Sequence, residues 1–396
     1  MEEGKLVGIM MIDQSAAFDL CDHVLLVQKM KLLGIDTEAA CWLESYLSRR
    51  SQSTLVDGYL SAALPLPPCS VIQGGIGSGL LYLVYTNDLP DVIHSHMTDY
   101  QQPEVHCKED GSMVNFVDDG TVYYSSKQPD EVSQKLSNHY KRIESYMNSN
   151  KLVINSDKTH LLVMVGKGAI AARRLEVQVL AGQDLIKQSV SEKLLGGIIH
   201  NSGRWNEMTR SIVSQLSGRL NGLKKLKNGD FKSKLTVATG IIQSKIQYLL
   251  PLYGGAPKYL LEAIQVQQLK AARFVCGYGS YYWSTTKLLK TCGWLSVKQQ
   301  EFYSTTLLAH KIATTQRPLN LHAAIFQPYV VNTRAAAQGQ MRYGANFWGE
   351  NEMTRGSFKY RAQQYYSTLA MDMKSQPLGT FKVKLKKHAS QKIAVR

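Results

Sequence analysis

Met113-Val-Asn-Phe-Val-Asp118-Asp119-Gly120-Thr121-Val-Tyr-Tyr124 is the stretch from which the fold of this chain is read. Two runs rich in β-branched and aromatic residues flank an Asp118-Asp119-Gly120 turn, which predicts a β-hairpin with adjacent carboxylates at its tip. Upstream, KLVGIMMI at 5–12 is a short apolar run that stops abruptly at Asp13, as a buried strand does. Downstream, Val132, Leu136, Tyr140, Ile143 and Met147 step at helical spacing after Pro129, so one buried stripe of a helix follows the hairpin. Leu161-Leu-Val-Met-Val then reads as a further strand. Strands alternating with helices in this way predict an α+β domain, an antiparallel sheet with helices packed on one face.

Between the first strand and the hairpin, Asp22 caps a helix that Gly34 ends, a second helix covers Thr37 to Leu47, and Ser51 to Leu60 reads as a strand pair or an extended connection. Gly74 to Tyr85 is a helix entered through glycines. The longest run without a charged residue, the thirty positions from Gly58 to Asn87, contains Pro65, Pro67 and Pro68 and several glycines, so it is not a membrane span. The N-terminal MEEGKLVGIMMID carries acidic residues where a secretory signal needs basic ones. Cys21, Cys41, Cys69, Cys107, Cys276 and Cys292 share no close spacing, which argues against a zinc knuckle and a secreted disulfide framework and for a reducing compartment inside the cell.

Of the 396 residues, 44% are hydrophobic, and 46 Lys+Arg face 31 Asp+Glu for a net charge of +15. The chain is therefore globular and long enough for two or three domains. The charge is divided: residues 1–160 hold 12 basic and 21 acidic side chains, leaving 34 and 10 for the rest. A cationic C-terminal half suits a polyanion, since each Lys or Arg on a phosphate releases condensed counterions; a solvated basic surface and an anionic membrane give the same count. From Asn206 onward the pattern turns helical with basic faces, placing a boundary near Trp205, and from about Thr291 a mixed, strongly basic segment begins.

The carboxylates carry the chemistry. Two adjacent aspartates do not comfortably ionise side by side without a cation, so Asp118 and Asp119, with Asp13 at a strand end, suit hard divalent metals. Read alone, Asp118-Asp119-Gly120 is equally an ordinary Asp-Gly turn. Asp19 and Asp157 read as local caps, and His23, His106, His160 and His200 as structural or surface residues, with no metal spacing among them.

Order and context single out one family. Ile12-Asp13-Gln-Ser-Ala-Ala-Phe18-Asp19, then Gln73-Gly74 through Asn87-Asp88-Leu89-Pro90, then Phe116-Val-Asp-Asp-Gly120, then Asn150-Lys-Leu-Val-Ile-Asn-Ser-Asp-Lys158-Thr159 resemble the successive palm motifs of reverse transcriptases of non-LTR retrotransposons, LINE- and jockey-like. Leu194-Leu-Gly-Gly-Ile198 is similar to the primer grip, and Cys292-Gly-Trp-Leu-Ser-Val297, Ser357-Phe-Lys-Tyr360 and Thr380 to Lys387 to the family's C-terminal region. The resemblance implies a right-hand polymerase palm over 1–204, a helical thumb over 205–290 and a basic C-terminal region over 291–396. It implies an RNA-directed DNA polymerase acting on an RNA template, a DNA primer and deoxynucleoside triphosphates, in nucleus or cytoplasm and off the membrane.

Residue by residue, it implies that Asp13, Asp118 and Asp119 hold two Mg²⁺, or Mn²⁺, for nucleotidyl transfer. Phe18 matches the aromatic that excludes a 2′-hydroxyl, and Gln73 a contact to the incoming nucleotide, which Gly74 lets the backbone approach. Lys158 matches a general acid toward pyrophosphate, a surface lysine being the other reading. The chain departs from the family in four places. Twelve residues precede Asp13 where the fingers are expected, and no endonuclease domain precedes them. Ser70-Val-Ile72 replaces Gly-Val-Pro, and Gly75 replaces a serine. Ser95–Gly111 enlarges the span between motifs. These departures predict impaired polymerisation, with a catalytically inactive RNA- or DNA-binding protein as the alternative; the chain then reads as a partial copy of an element or a decayed relic.

Overall fold

The computed structural model describes residues 5–93, 111–165, 176–182, 184–326 and 355–392. All of Ser95–Gly111 except Gly111 lies outside these residues, and with it the His106-Cys107 pair. The chain divides into two compact units, residues 1–194 with 200–202, and 195–199 with 203–396.

The first unit is built on a six-stranded sheet. Its strands are β1 (Leu6–Ser15), β2 (Ser112–Phe116), β3 (Asp119–Ser126), β4 (Val153–Val165), β5 (Gln178–Ala181) and β6 (Asp184–Ser189), in the order β2-β3-β1-β4-β6-β5. The apolar run at 5–12 forms the central strand because both of its edges are paired. It is antiparallel to β3 from Leu6↔Ser126 to Ile12↔Gly120, and to β4 from Leu6↔Val165 onward. The expectation of a purely antiparallel sheet needs one correction. β5 and β6 form an antiparallel hairpin, and this sets β6 parallel to β4 over Gln188↔Leu161 and Ser189↔Leu162.

Helix α1 (His23–Leu32) is capped by the Asp22 carboxylate, which accepts from the Leu25 amide, and Gly34 follows it at φ +79°. Helices α2 (Thr37–Leu47) and α3 (Ser78–Tyr85) follow, then α4 (Pro129–Ser149). The stripe Val132, Leu136, Tyr140, Ile143 and Met147 is buried, and α4 lays it on the sheet. That contact dictates Gly8: a Cβ there would stand 2.7 Å from both Leu136 Cδ1 and Val132 Cγ1. The extended stretch after α2 forms two short ladders, Ser51–Gln52 with Leu64–Pro65 and Leu55–Val56 with Tyr59–Leu60.

Past the strand that begins at Gly197, the regular elements of the second unit are all helices among its described residues, so the mixed character read from Thr291 onward is corrected: the described elements there are helices joined by turns. Its longer helices are α5 (Asn206–Leu223), α6 (Phe231–Ala238), α7 (Lys258–Cys276), α8 (Thr285–Thr291), α9 (Val297–Thr315), α10 (Leu319–Phe326), α11 (Phe358–Ser367) and α12 (Leu378–Lys392). Two apolar cores serve them. One gathers Met208, Ile212, Ile264 and Leu288; the other gathers Phe302, Tyr366, Phe381 and Leu385. Buried beside the second is a charged pair: Arg361 donates to Glu301 and, at 2.6 and 3.1 Å, to the carbonyls of Pro251 and Leu252, while Tyr365 and Thr305 also donate to Glu301. Among the described residues no helix is long and apolar enough to cross a membrane.

Candidate active site

The ladder between β1 and β3 decides where the carboxylates lie. With Ile12 opposite Gly120, the next residue of β1, Asp13, meets the strand end that begins at Asp119. Asp119 pairs with Phe116, so the two-residue turn is Val117-Asp118, one step earlier than the expected Asp118-Asp119-Gly120. The physical reason is competition: Asp-Gly is a good turn pair, but Gly120 is held in the ladder against Ile12, and Val117 is forced to φ +59° instead. Burial and then the nearby charges of Asp118 and Asp13 hold the Asp119 carboxyl above the usual carboxylate range. Asp119 therefore senses both its neighbour Asp118 and Asp13, 106 positions upstream.

Lys158 reaches the same place through a bulge. Met11 pairs with His160 and Asp13 with Asn155, so Ser156 to Thr159 on β4 stand opposite Ile12 alone. This widening turns Lys158 toward the strand end, where its Nζ lies 3.8 Å from Asp13 Oδ2. The bulge is tied down locally by Asn155, whose Oδ1 accepts from the Lys158 amide at 3.3 Å and whose carbonyl accepts from Thr159 Oγ1 at 2.8 Å. Asp157 sits in the bulge, and Asp19 in the turn after β1, where its amide donates to the Ala16 carbonyl.

A chain of contacts joins the motifs. Gln14 donates through Nε2 to the Asp118 carbonyl at 3.1 Å, and the Tyr82 hydroxyl of α3 donates to Gln14 Oε1. The Tyr82 ring stacks on Phe18, centroids 5.1 Å apart and planes 24° from parallel. The Val71 amide donates to the Phe18 carbonyl at 2.9 Å. Gln73 Nε2 lies 3.4 Å from both carboxylate oxygens of Asp19. On α3, Tyr85 donates to the Asn150 carbonyl at 2.6 Å, while Lys151 Nζ stands 2.5 Å from Asp22 Oδ2. Asp88 accepts from Lys29 at 2.8 Å and from Tyr146 at 2.5 Å. Sequence reasoning singled out Phe18, Gln73 and the carboxylates but missed Gln14, Tyr82 and Tyr85. Met10, Ile12 and Gln14 share the inward parity of β1, and a glutamine on that parity was the available signal.

Two departures from the motif pattern have local consequences. Ser70, in the glycine position of the lead-in, sits at φ +88°, a conformation that favours glycine. Its carbonyl is held by Arg50 at 2.6 Å and by the His23 ring at 2.8 Å. At Gly75 a Cβ would meet Ser78 Oγ at 2.7 Å, so the usual serine would displace that hydroxyl. Gly74 is at φ +82° with open space around the position of a Cβ, so conformation rather than crowding explains the residue.

A divalent cation fits the donor chemistry of Asp13, Asp118 and Asp119, whose carboxylate oxygens are hard ligands crowding like charges. Among the described residues no group of three His, Cys, Asp or Glu side chains is already arranged as a metal-holding cluster.

A sheet backed by α4 carries acidic side chains from its central strand and the adjoining hairpin at one end. The sequence model of one family, reverse transcriptase (RNA-dependent DNA polymerase), matches residues 1–199, and the chain belongs to that family. Among solved structures, apo telomerase from Candida tropicalis is similar with a TM-score of 0.37 and 11% identity, over 78% of this chain and 51% of that one. Telomerase from the same organism in complex with a TWJ fragment of telomeric RNA gives 0.34 and 10%, over 73% and 49%. The corresponding Candida albicans complex gives 0.27 and 11%, over 79% and 49%. The chain thus spans about half the length of these structures. No curated protein matches it.

Proposed function

We propose that the chain is an RNA-directed DNA polymerase of non-LTR retrotransposon type, with residues 1–204 as palm, 205–290 as thumb and 291–396 as a basic C-terminal region. It would extend a DNA primer on an RNA template, in the nucleus or cytoplasm. The observation that carries this reading is the register Ile12↔Gly120, which sets Asp13 against the Asp118-Asp119 strand end beside Lys158. The primer 3′-hydroxyl attacks the α-phosphorus of a deoxynucleotide, the new ester bond forms, and pyrophosphate leaves. Asp13, Asp118 and Asp119 would hold Mg²⁺ or Mn²⁺. Such ions, when bound, neutralise charge on the phosphates and activate the hydroxyl.

The chain's own residues supply the rest. Lys158 delivers a proton to the leaving pyrophosphate from its place next to Asp13. The Phe18 ring, backed by Tyr82, presents a wall at the sugar that leaves no room for a 2′-hydroxyl. Gln73 and Gly74 contact the incoming nucleotide. The retroelement type is supported by the succession of the four motifs along the first unit. The strained Ser70 and the Gly75 that stand where the motif pattern has glycine and serine favour a second reading, an inactive nucleic-acid-binding relative. Primer extension on an RNA template separates the two: incorporation by the parent that disappears in Asp118→Ala is expected. Incorporation that survives the substitution refutes the assigned site, and none by the folded parent establishes the second reading.

A further inference from the structure

The second unit exposes aromatic rings that no core claims. Tyr278, Tyr281 and Tyr282 are 92%, 63% and 96% exposed on the short turn between α7 and α8. Tyr278 and Tyr281 hold their rings 5.7 Å apart. Trp283, the next residue, packs against the first apolar core and carries the Lys287 ammonium 4.4 Å from its ring centroid. A soluble surface does not leave a cluster of large rings in water without a use.

Helix α8 connects this turn to a cavity of about 800 Å³ between the start of α9 and α12. Lys290, one turn along α8 from Lys287, lines it, with Lys386 and Lys387 of α12, over a floor that includes Leu289 and Trp294. No carboxylate is among its lining residues. Neither α8 nor α12 contains an Asp or Glu. The face is therefore a set of exposed rings continued by ammonium groups with no carboxylate among the described residues that line the cavity, and a further indole.

We propose that the Tyr278–Trp283 turn and the lysine-lined cavity form one binding face for single-stranded nucleic acid, bases stacking on Tyr278, Tyr282 and Trp294 and phosphates meeting Lys290, Lys386 and Lys387. Nucleobases suit it because every base offers a flat π-face to an exposed ring, while the backbone supplies the anions the lysines lack. An acidic peptide would satisfy the lysines and leave the tyrosines idle. The face lies wholly in the second unit, needs no nucleotide transfer, and adds a nucleic-acid contact away from the palm.

The test is fluorescence anisotropy of the full chain with a labelled oligouridylate of about 16 nucleotides, the upper end of common single-strand site sizes. No triphosphate is added, so the result stands apart from polymerase activity. Tyr278→Ala/Tyr282→Ala is expected to weaken binding about tenfold or more through loss of base stacking. Tyr278→Phe/Tyr282→Phe keeps the rings and keeps the affinity. Lys290→Ala/Lys386→Ala/Lys387→Ala lowers the slope of log affinity against log salt by about 2, at about 0.7 per phosphate released. Melting temperatures stay at the parent value because the tyrosines are exposed. No binding by the parent, an alanine variant within about twofold of it, or equal competition by polyglutamate each overturns the proposal.

Discussion

Tyr82→Phe removes one oxygen from the candidate site and leaves everything else in place. The Tyr82 side chain is 0% exposed, its hydroxyl donates to Gln14 Oε1, and Gln14 in turn donates to the Asp118 carbonyl. Losing the hydroxyl costs the net worth of a buried hydrogen bond and leaves a buried amide oxygen without that donor, together about 1–3 kcal/mol. In a unit of about 200 residues each kcal/mol moves the melting temperature by about 2–4 °C. The ring remains, so the stack on Phe18 and the core packing are kept. The assay is a denaturation cycle of parent, Tyr82→Phe, Gln14→Leu and the double variant. Because the two side chains share one bond, the double variant is expected to fall short of the sum of the singles by about 1 kcal/mol or more. Primer extension by Tyr82→Phe is expected to fall as well, since a loosened Gln14 no longer fixes the turn that carries Asp118. Additive singles, or a Tyr82→Phe cost under about 0.5 kcal/mol, would refute the reasoning.

Further outcomes follow from single contacts elsewhere. Gly8→Ala drives a methyl against Leu136 and Val132 and is expected to destabilise the first unit by about 1–3 kcal/mol, read as a lower denaturation midpoint with unchanged slope. Arg361→Met strands the buried Glu301 carboxylate and is expected to cost about 3–5 kcal/mol, whereas Arg361→Met/Glu301→Leu recovers most of it; a double variant no better than the single contradicts this. Burial works to raise the Asp88 carboxyl, but hydrogen bonds from Lys29 and Tyr146 outweigh it and hold its pKa below the usual range. Its contribution is therefore complete above the unfolded value near pH 4 and is lost as pH falls through the folded value, so the stability gap between parent and Asp88→Asn should close on acidification. A gap that stays constant from neutral pH to below about pH 3 sinks that assignment.

What the sequence revealed of the first unit was whatever depends on local periodicity. The α4 stripe and the Asp22 cap depend on neighbours close along the chain, and each is found where it is expected; the strand expected to stop at Asp13 instead runs on to Ser15, because Asp13, Gln14 and Ser15 pair with Asn155, Ile154 and Val153. What it concealed depends on partners far along the chain. The Val117-Asp118 turn follows from pairing with β1, more than a hundred residues upstream, and the Ser156–Thr159 bulge from the mismatch between Asp13↔Asn155 and Met11↔His160. Neither leaves a local trace, and the Asp-Gly pair even points to the wrong turn. The motif residues were found by their order; Gln14, which ties Asp118 to α3, lay between two of them and passed as a spacer.

The hairpin tip shows why these carboxylates are more than a by-product of folding. A hairpin that needed only to reverse would put glycine in the left-handed position, where it costs nothing. Here Gly120 is spent in the ladder, and a β-branched valine takes φ +59° at a cost of order 1–3 kcal/mol. Such strain persists only where the surroundings over-determine it. They do so through seven consecutive pairs between β1 and β3, and through the Gln14 amide drawing on the Asp118 carbonyl from a side chain itself fixed by Tyr82. Moving the turn one residue later would relax Val117, but Asp119 would leave the strand end and Asp13 would lose its opposite number. The fold therefore keeps a costly valine while the aspartates stay together, and on the other edge of β1 the bulge of β4 opposite Ile12 brings Lys158 to Asp13.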